Sequence, residues 1–157
     1  MKNQLVKFIA TGLCSGYLKP WPGTWGTIPA WLIAFFLVKG NLFILLAVTV
    51  ATLFISIWSS GAAEDMLGHD SRKIVIDEWA GMFVALLFVE YSREGYLIAF
   101  FAFRAFDVIK LPPASQFEKL PRGWGVTMDD IAAGVYANIF THAVLWAIAN
   151  YGELWAN

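Results

Sequence analysis

LFILLAVTVATLFISIW, residues Leu42–Trp58, contains no charged side chain, and the uncharged stretch around it runs from Gly40 to Ala63. About 20 mostly apolar residues suffice for a helix to cross a bilayer, so this segment reads as a membrane span. Ile131–Gly152 is a second uncharged run of spanning length. Pro20–Val38 reaches that length only when its Pro/Gly-rich beginning is counted. The whole chain agrees: of 157 residues, 59% are hydrophobic and 15% charged, against about 45–50% and roughly 25% in a typical soluble domain.

Two shorter apolar stretches follow the same logic. With their polar ends they cover Asp77–Glu90 and Tyr96–Ile109, about 21 Å of helix each. They read as short spans, as a shallow re-entrant hairpin, or as helices whose polar ends face a wet cleft. Buried helices of a soluble α-domain would look the same over these two stretches. The expected architecture is a single all-α, polytopic domain over residues 1–157. Its five helices would cover about 27–38, 41–63, 78–90, 96–109 and 131–150. A net charge of −1 leaves no basic face for nucleic acid. Cys14 alone excludes an intrachain disulfide framework and a multi-cysteine zinc site. The first 16 residues lack the long apolar run and cleavage site of a signal peptide. Trp21, Trp31, Trp79, Trp124 and Trp155 fall near helix ends, as interfacial anchors do.

Five helices give the chain two sides. One side collects Lys2, Lys7, Lys19, Arg72, Lys73, Arg104, Lys110, Lys119 and Arg122, nine of the 11 basic residues. The positive-inside rule assigns that side to the cytoplasm. The same side collects Glu64, Asp65, Asp70, Asp77, Glu78, Asp107, Glu118, Asp129 and Asp130, nine of the 12 acids. The rule does not require acids to follow the bases, so this clustering needs its own cause.

Four blocks converge on that side, three of them carrying acids: Lys19–Thr27 (KPWPGTWGT), Glu64–Gly81 (EDMLGHDSRKIVIDEWAG), Phe103–Pro113 (FRAFDVIKLPP) and Arg122–Gly134 (RGWGVTMDDIAAG). Clustered carboxylates repel unless a cation or shared protons offset them. Mg²⁺ takes one or two carboxylates, waters and substrate phosphate oxygens. A Mg²⁺-assisted phosphoryl chemistry would add Arg and Lys for phosphate and a Gly-rich turn for backbone donors. Each block also has a structural reading. Asp77-Glu78 fits the acidic first turn of a helix. Thr127-x-x-Asp130 fits a capping box, Arg104, Asp107 and Lys110 fit a salt network on one helix face, and Pro22–Gly26 fits a tight turn. No P-loop, H-E-x-x-H or G-x-S-x-G motif is present.

P-G-T-W-G-T, D-M-x-x-H-D-x-x-x-I-V-x-D-E-x-x-G, F-R-x-x-D-x-x-K-x-P and G-x-x-x-D-D-I-x-A-G, in this order from about Gly16 to Gly134, resemble the phosphatidylglycerophosphatase A family. The resemblance implies a bacterial inner-membrane, multi-pass, Mg²⁺-dependent lipid phosphatase with its site on the cytoplasmic side. Its substrate would be a glycerophospholipid, phosphatidylglycerophosphate, hydrolysed to phosphatidylglycerol and phosphate. Carried over by motif, Asp65, Asp77, Glu78, Asp129 and Asp130 are the expected metal ligands. Gly23, Thr24, Gly26, Arg104 and Lys110 would hold the phosphate. Water would be the nucleophile, with Asp70, Asp107 or His69 accepting its proton; an Asp nucleophile is the alternative chemistry. Lys110-Leu111-Pro112-Pro113 departs from the family's K-P-x-P pattern. Two other classes stay open. A CDP-alcohol transferase would need a D-G-x-x-A-R signature, which is absent. A cation transporter would need acids at mid-membrane, whereas these cluster at one edge.

Overall fold

The computed structural model describes residues 2–68 and 71–151, and all regular structure among them is helical. Seven α-helices follow one another: α1 (Lys2–Ala10), α2 (Pro22–Ile33), α3 (Leu42–Leu67), α4 (Ile76–Ala85), α5 (Arg93–Ile109), α6 (Ala114–Phe117) and α7 (Gly123–Tyr151). The five expected helices correspond to α2, α3, α4, α5 and α7. The short helices α1 and α6 are additional, and three boundaries differ in ways that matter for the site.

Helix α2 starts at Pro22 rather than near residue 27. Proline suits the first helical turn, where its missing N–H costs nothing, and Trp21 enters it at φ 59°. The Pro-Gly-Thr block is therefore helical, not a turn ahead of a span. A π-helical turn, Ala34–Val38, extends α2, and Lys39 ends it at φ 51°. Helix α3 then begins with Asn41, whose side chain accepts from the Ile44 N–H at 3.1 Å. Helix α7 starts at Gly123, not near 131. Thr127 and Asp130 thus lie inside it, which rules out the capping-box reading.

Helix α4 is shorter than expected: ten residues, or about 15 Å. It stops at Ala85, mid-bundle, and would strand carbonyls there. Asn138 on α7 resolves this by donating through Nδ2 to the Ala85 carbonyl at 3.1 Å and to Leu87 at 2.6 Å. The chain turns through residues 86–92, and the Ser92 hydroxyl caps α5 by accepting from the Gly95 N–H at 3.0 Å. Helices α4 and α5 make an unequal hairpin.

Helices α3 and α7 are long and apolar enough to cross a membrane, and only 28% of the apolar stretch in each is buried within the protein. Phe43, Phe54, Ile139 and Trp146 are among their exposed side chains. The buried face of α3 is small and polar, with Thr49, Thr52, Ser56, Ser59, Ser60 and Gly61. Such residues let helices approach closely and hydrogen-bond across the contact, as Ser56 and Thr127 do at 2.7 Å. The apolar core lies around α4, where Met82, Phe83 and Leu86 meet Tyr96 and Phe103 of α5.

Of the tryptophans expected at helix ends, Trp21 and Trp124 are exposed, while Trp79 is buried. Trp31 turns inward, donating to the Tyr96 carbonyl at 2.8 Å and stacking on Phe35. Trp155 lies outside the described residues.

Candidate active site

The N-terminal ends of α2, α4 and α7 and the C-terminal end of α5 meet at one end of the bundle. The way α4 crosses α7 explains how two of these ends come together. At Gly81 an added Cβ would sit 2.6 Å from the Asp130 carbonyl oxygen and 2.6 Å from Phe103 Cε2. At Gly134 it would run into the Gly81 backbone. Two glycines thus let the helix backbones touch. Asp77 precedes Gly81 by four residues, and Asp130 precedes Gly134 by four. Residues four apart share a helix face, so the glycine contact sets both aspartates one turn away, facing the same space.

That space is a cleft of about 550 Å³. Asp77, Glu78, Asp107, Asp129 and Asp130 line it, with Arg72, Arg104 and Lys110 as the cationic side chains. Gly23 and Thr24 also reach it. Nine of the predicted site residues are therefore on one wall or another: Gly23, Thr24, Asp77, Glu78, Arg104, Asp107, Lys110, Asp129 and Asp130. Gly26 sits just behind, where a Cβ would come 2.7 Å from Glu78 Oε2 and 2.5 Å from Val75 Cβ. Asp65 is not brought into the cleft; its exposed carboxylate lies 3.6 Å from Arg122. His69 and Asp70 lie outside the described residues.

Two groups of contacts organise the charges. In the first, Arg104 Nη1 lies 2.8 Å from Asp107 and 3.5 Å from Glu78. Thr27 joins them: its buried hydroxyl lies 2.9 Å from the Gly23 carbonyl and 3.1 Å from Glu78 Oε2, and accepts from Arg104 at 3.3 Å. Thr27 was not singled out by sequence reasoning. It closes the P-G-T-W-G-T motif, but the motif assigns it no role until Glu78 and Arg104 arrive from other helices.

In the second group, Lys110 Nζ lies 2.8 Å from Asp129 and 3.1 Å from Glu118. Lys110 leaves α5 in the left-handed region, at φ 50°. It therefore does not complete the Arg104–Asp107 stripe but turns to α7. Burial would lower its pKa, but the hydrogen bond and charge of Asp129, aided by Glu118, outweigh this and raise it.

The remaining acids have no cation. The Asp77 carboxylate accepts the Glu78 N–H at 3.0 Å. The buried Asp130 side chain has no hydrogen-bond or ion-pair partner among the described residues. Burial, followed by the charges of Glu78 and Asp129, pushes Asp77 well above the carboxylate range. Burial also pushes Glu78 up to about 8, against the pull of Arg104.

This donor set fits a hard divalent cation. Among the described residues no three acids converge as a ready-made cage. Mg²⁺, however, keeps several waters and takes only one or two carboxylates beside substrate phosphate. Asp77 and Asp130 supply two such carboxylates without cationic partners, facing space.

The sequence matches the model of the family described as Phosphatidylglycerophosphatase A over residues 8–145. A Bacteroides thetaiotaomicron protein named "Putative phosphatidylinositol-3-phosphatase" is 34% identical over 89% of this chain and 93% of its own length. Phosphatidylglycerophosphatase A of Haemophilus influenzae is 34% identical over 88% of each chain. Its Escherichia coli namesake is 32% identical over 81% of this chain and 76% of its own. No solved structure matches the chain. With the family model covering all four motif blocks, the chain belongs to the phosphatidylglycerophosphatase A family, and with it to the phosphoric monoester hydrolases.

Proposed function

We propose that the protein hydrolyses the terminal phosphomonoester of phosphatidylglycerophosphate, with Mg²⁺, at the cytoplasmic face of a bacterial inner membrane. The observation that carries this reading is the cleft itself: two acids without cations beside two cations held by acids, at one end of a bundle with two exposed apolar helices.

Asp77 and Asp130 would hold Mg²⁺, which when bound would offset their charge and draw electron density from the phosphoryl oxygens. Arg104 and Lys110 present N–H donors to the same cleft and suit phosphate oxygens. Their carboxylate partners fix where those donors point. Glu78, with its pKa near 8, can carry a proton at neutral pH, and Thr27 holds its Oε2. Asp107, held by Arg104, is the described candidate for accepting the proton of an attacking water.

The bundle end opposite the cleft holds only Lys39 and Arg93 among the basic residues, which supports a cytoplasmic cleft. A cysteine placed in the 39–41 turn of a Cys14→Ser protein should react with impermeant maleimide from outside the cell. One at Lys119 should react only after permeabilisation.

The direct test is phosphate release from phosphatidylglycerophosphate with and without Mg²⁺. Release that requires the cation is expected. Release that is unaffected by chelation would overturn the metal assignment, and absence of release would overturn the substrate. Because one relative is named for phosphatidylinositol 3-phosphate, that lipid belongs in the same assay as the competing substrate.

A further inference from the structure

Arg72 lies in the connection between α3 and α4, and the backbone around it is held in place. The Ser71 carbonyl accepts the Ile74 N–H at 2.8 Å, and the Val75 N–H donates to the Ala10 carbonyl at 2.9 Å. The Lys73 carbonyl packs on Gly16, where an added Cβ would run into it. The two neighbouring cations then part. Lys73 Nζ lies over the Tyr17 ring, 5.6 Å from its centroid. Arg72 instead lines the cleft, together with Ser71 and Ile74.

Three cationic side chains line that cleft, and two of them are committed to acids. Arg104 holds Asp107 and Glu78, and Lys110 holds Asp129 and Glu118. Arg72 has neither a hydrogen bond nor an ion pair among the described residues. The cleft also has depth. Asp77 and Asp130 are 7% and 4% exposed, whereas Trp21 and Val108, on the same lining, are each 74% exposed. Arg72 is exposed like the latter pair. The two acids without cations thus form the floor, and Arg72 belongs to the mouth. A volume of about 550 Å³ lies within the roughly 300–1,000 Å³ of sites that enclose whole small molecules. The cleft therefore has room for more than the reacting phosphate.

We propose that Arg72 binds a second anion of the substrate, the phosphodiester that joins the reacting headgroup to the lipid; this rests on the lipid phosphatase reading above. With the phosphomonoester on the floor, the rest of the substrate runs outward to the mouth. The next charged group along it is the diester, and the next uncommitted cation along the cleft is Arg72. A phosphodiester presents two free oxygens and a fixed negative charge, which the guanidinium fork matches with parallel N–H donors. Hydrolysis leaves the diester intact. Arg72 therefore holds substrate and lipid product alike, and has no part in the bond that breaks.

The test uses the full-length protein in neutral detergent, with dioctanoyl phosphatidylglycerophosphate as substrate. Arg72→Gln should raise KM by about three- to tenfold, the worth of a charged hydrogen bond screened at an exposed site, with kcat little changed. Arg72→Lys should recover part of that loss, because it keeps the charge without the fork. Two inhibitors separate the two anions. Dioctanoyl phosphatidylglycerol carries only the diester and should inhibit Arg72→Gln more weakly than wild type, by a similar factor. Inorganic phosphate should inhibit both equally. An unchanged KM, or phosphate inhibition weakened as much as phosphatidylglycerol inhibition, overturns the proposal. A second arm needs no turnover. Dioctanoyl phosphatidylglycerol should raise the melting temperature of wild type more than that of Arg72→Gln, and equal shifts overturn the subsite. Wild type that releases no phosphate from the substrate overturns the parent reading alone.

Discussion

Asp130 shows at the scale of one side chain how the site trades stability for chemistry. It is a buried acid with no partner among the described residues, and the folded protein gains nothing from its charge. Asp130→Asn should therefore melt at a higher temperature than wild type in metal-free detergent. It should also lose phosphate release by at least about a hundredfold, since even outer-shell partners of a metal site cost about 10–100-fold. A lower melting temperature would show a structural role instead. Thr27 makes the complementary case, because its hydroxyl binds three groups from two other helices and its own turn. Thr27→Ser should stay near wild-type activity, while Thr27→Val should lower kcat by about tenfold, the effect of misdirecting Glu78 and Arg104. Asp77, Glu78, Arg104 and Asp107 were legible in the sequence because chemistry-bearing residue types stood at motif spacing. Thr27 was not, because its role depends on who arrives beside it.

At the scale of elements, the glycine crossing of α4 and α7 sets the geometry of the acids. Gly81→Ala should force these helices apart, costing about 1–3 kcal/mol as overpacked contacts do, and activity should fall further than melting alone explains. Asn138 governs the other end of α4. Its amide satisfies carbonyls that water cannot reach, so Asn138→Leu should destabilise by roughly 1–3 kcal/mol, as measured by unfolding in detergent. The sequence disclosed the apolar runs that became α3 and α7. It did not disclose that α4 would stop at Ala85, because the run Met82–Val89 is apolar throughout and a helix end there needs a partner 50 residues away. The charged stripe Arg104–Asp107–Lys110 was also only half right at this scale. Its last member leaves the helix in a left-handed conformation and joins α7.

For the whole molecule, the cleft makes stability depend on pH and cation together. Glu78 moves from an ordinary 4.5 to about 8 on folding, and Asp77 moves the same way. An acid whose pKa rises on folding binds its proton more tightly in the folded state. Its contribution is fully present below about pH 4.5 and is lost as pH rises toward about 8. The metal-free protein should thus lose melting temperature across that window. Mg²⁺ competes with those protons, so it should restore stability more at pH 8 than at pH 5. A melting temperature independent of Mg²⁺ at pH 8 would remove the cation from the cleft.

The sequence alone determined the helical class and the two long apolar helices, because these follow from local composition and period. It also marked most of the cleft, since the four motif blocks carry its acids and bases. Tertiary structure decided which acids lack cations, which threonine joins Glu78 to Arg104, and that Asp65 stands outside. Those outcomes depend on helix ends far apart in the chain. They meet because Gly81 and Gly134 allow two backbones to touch, and no local pattern encodes that distance.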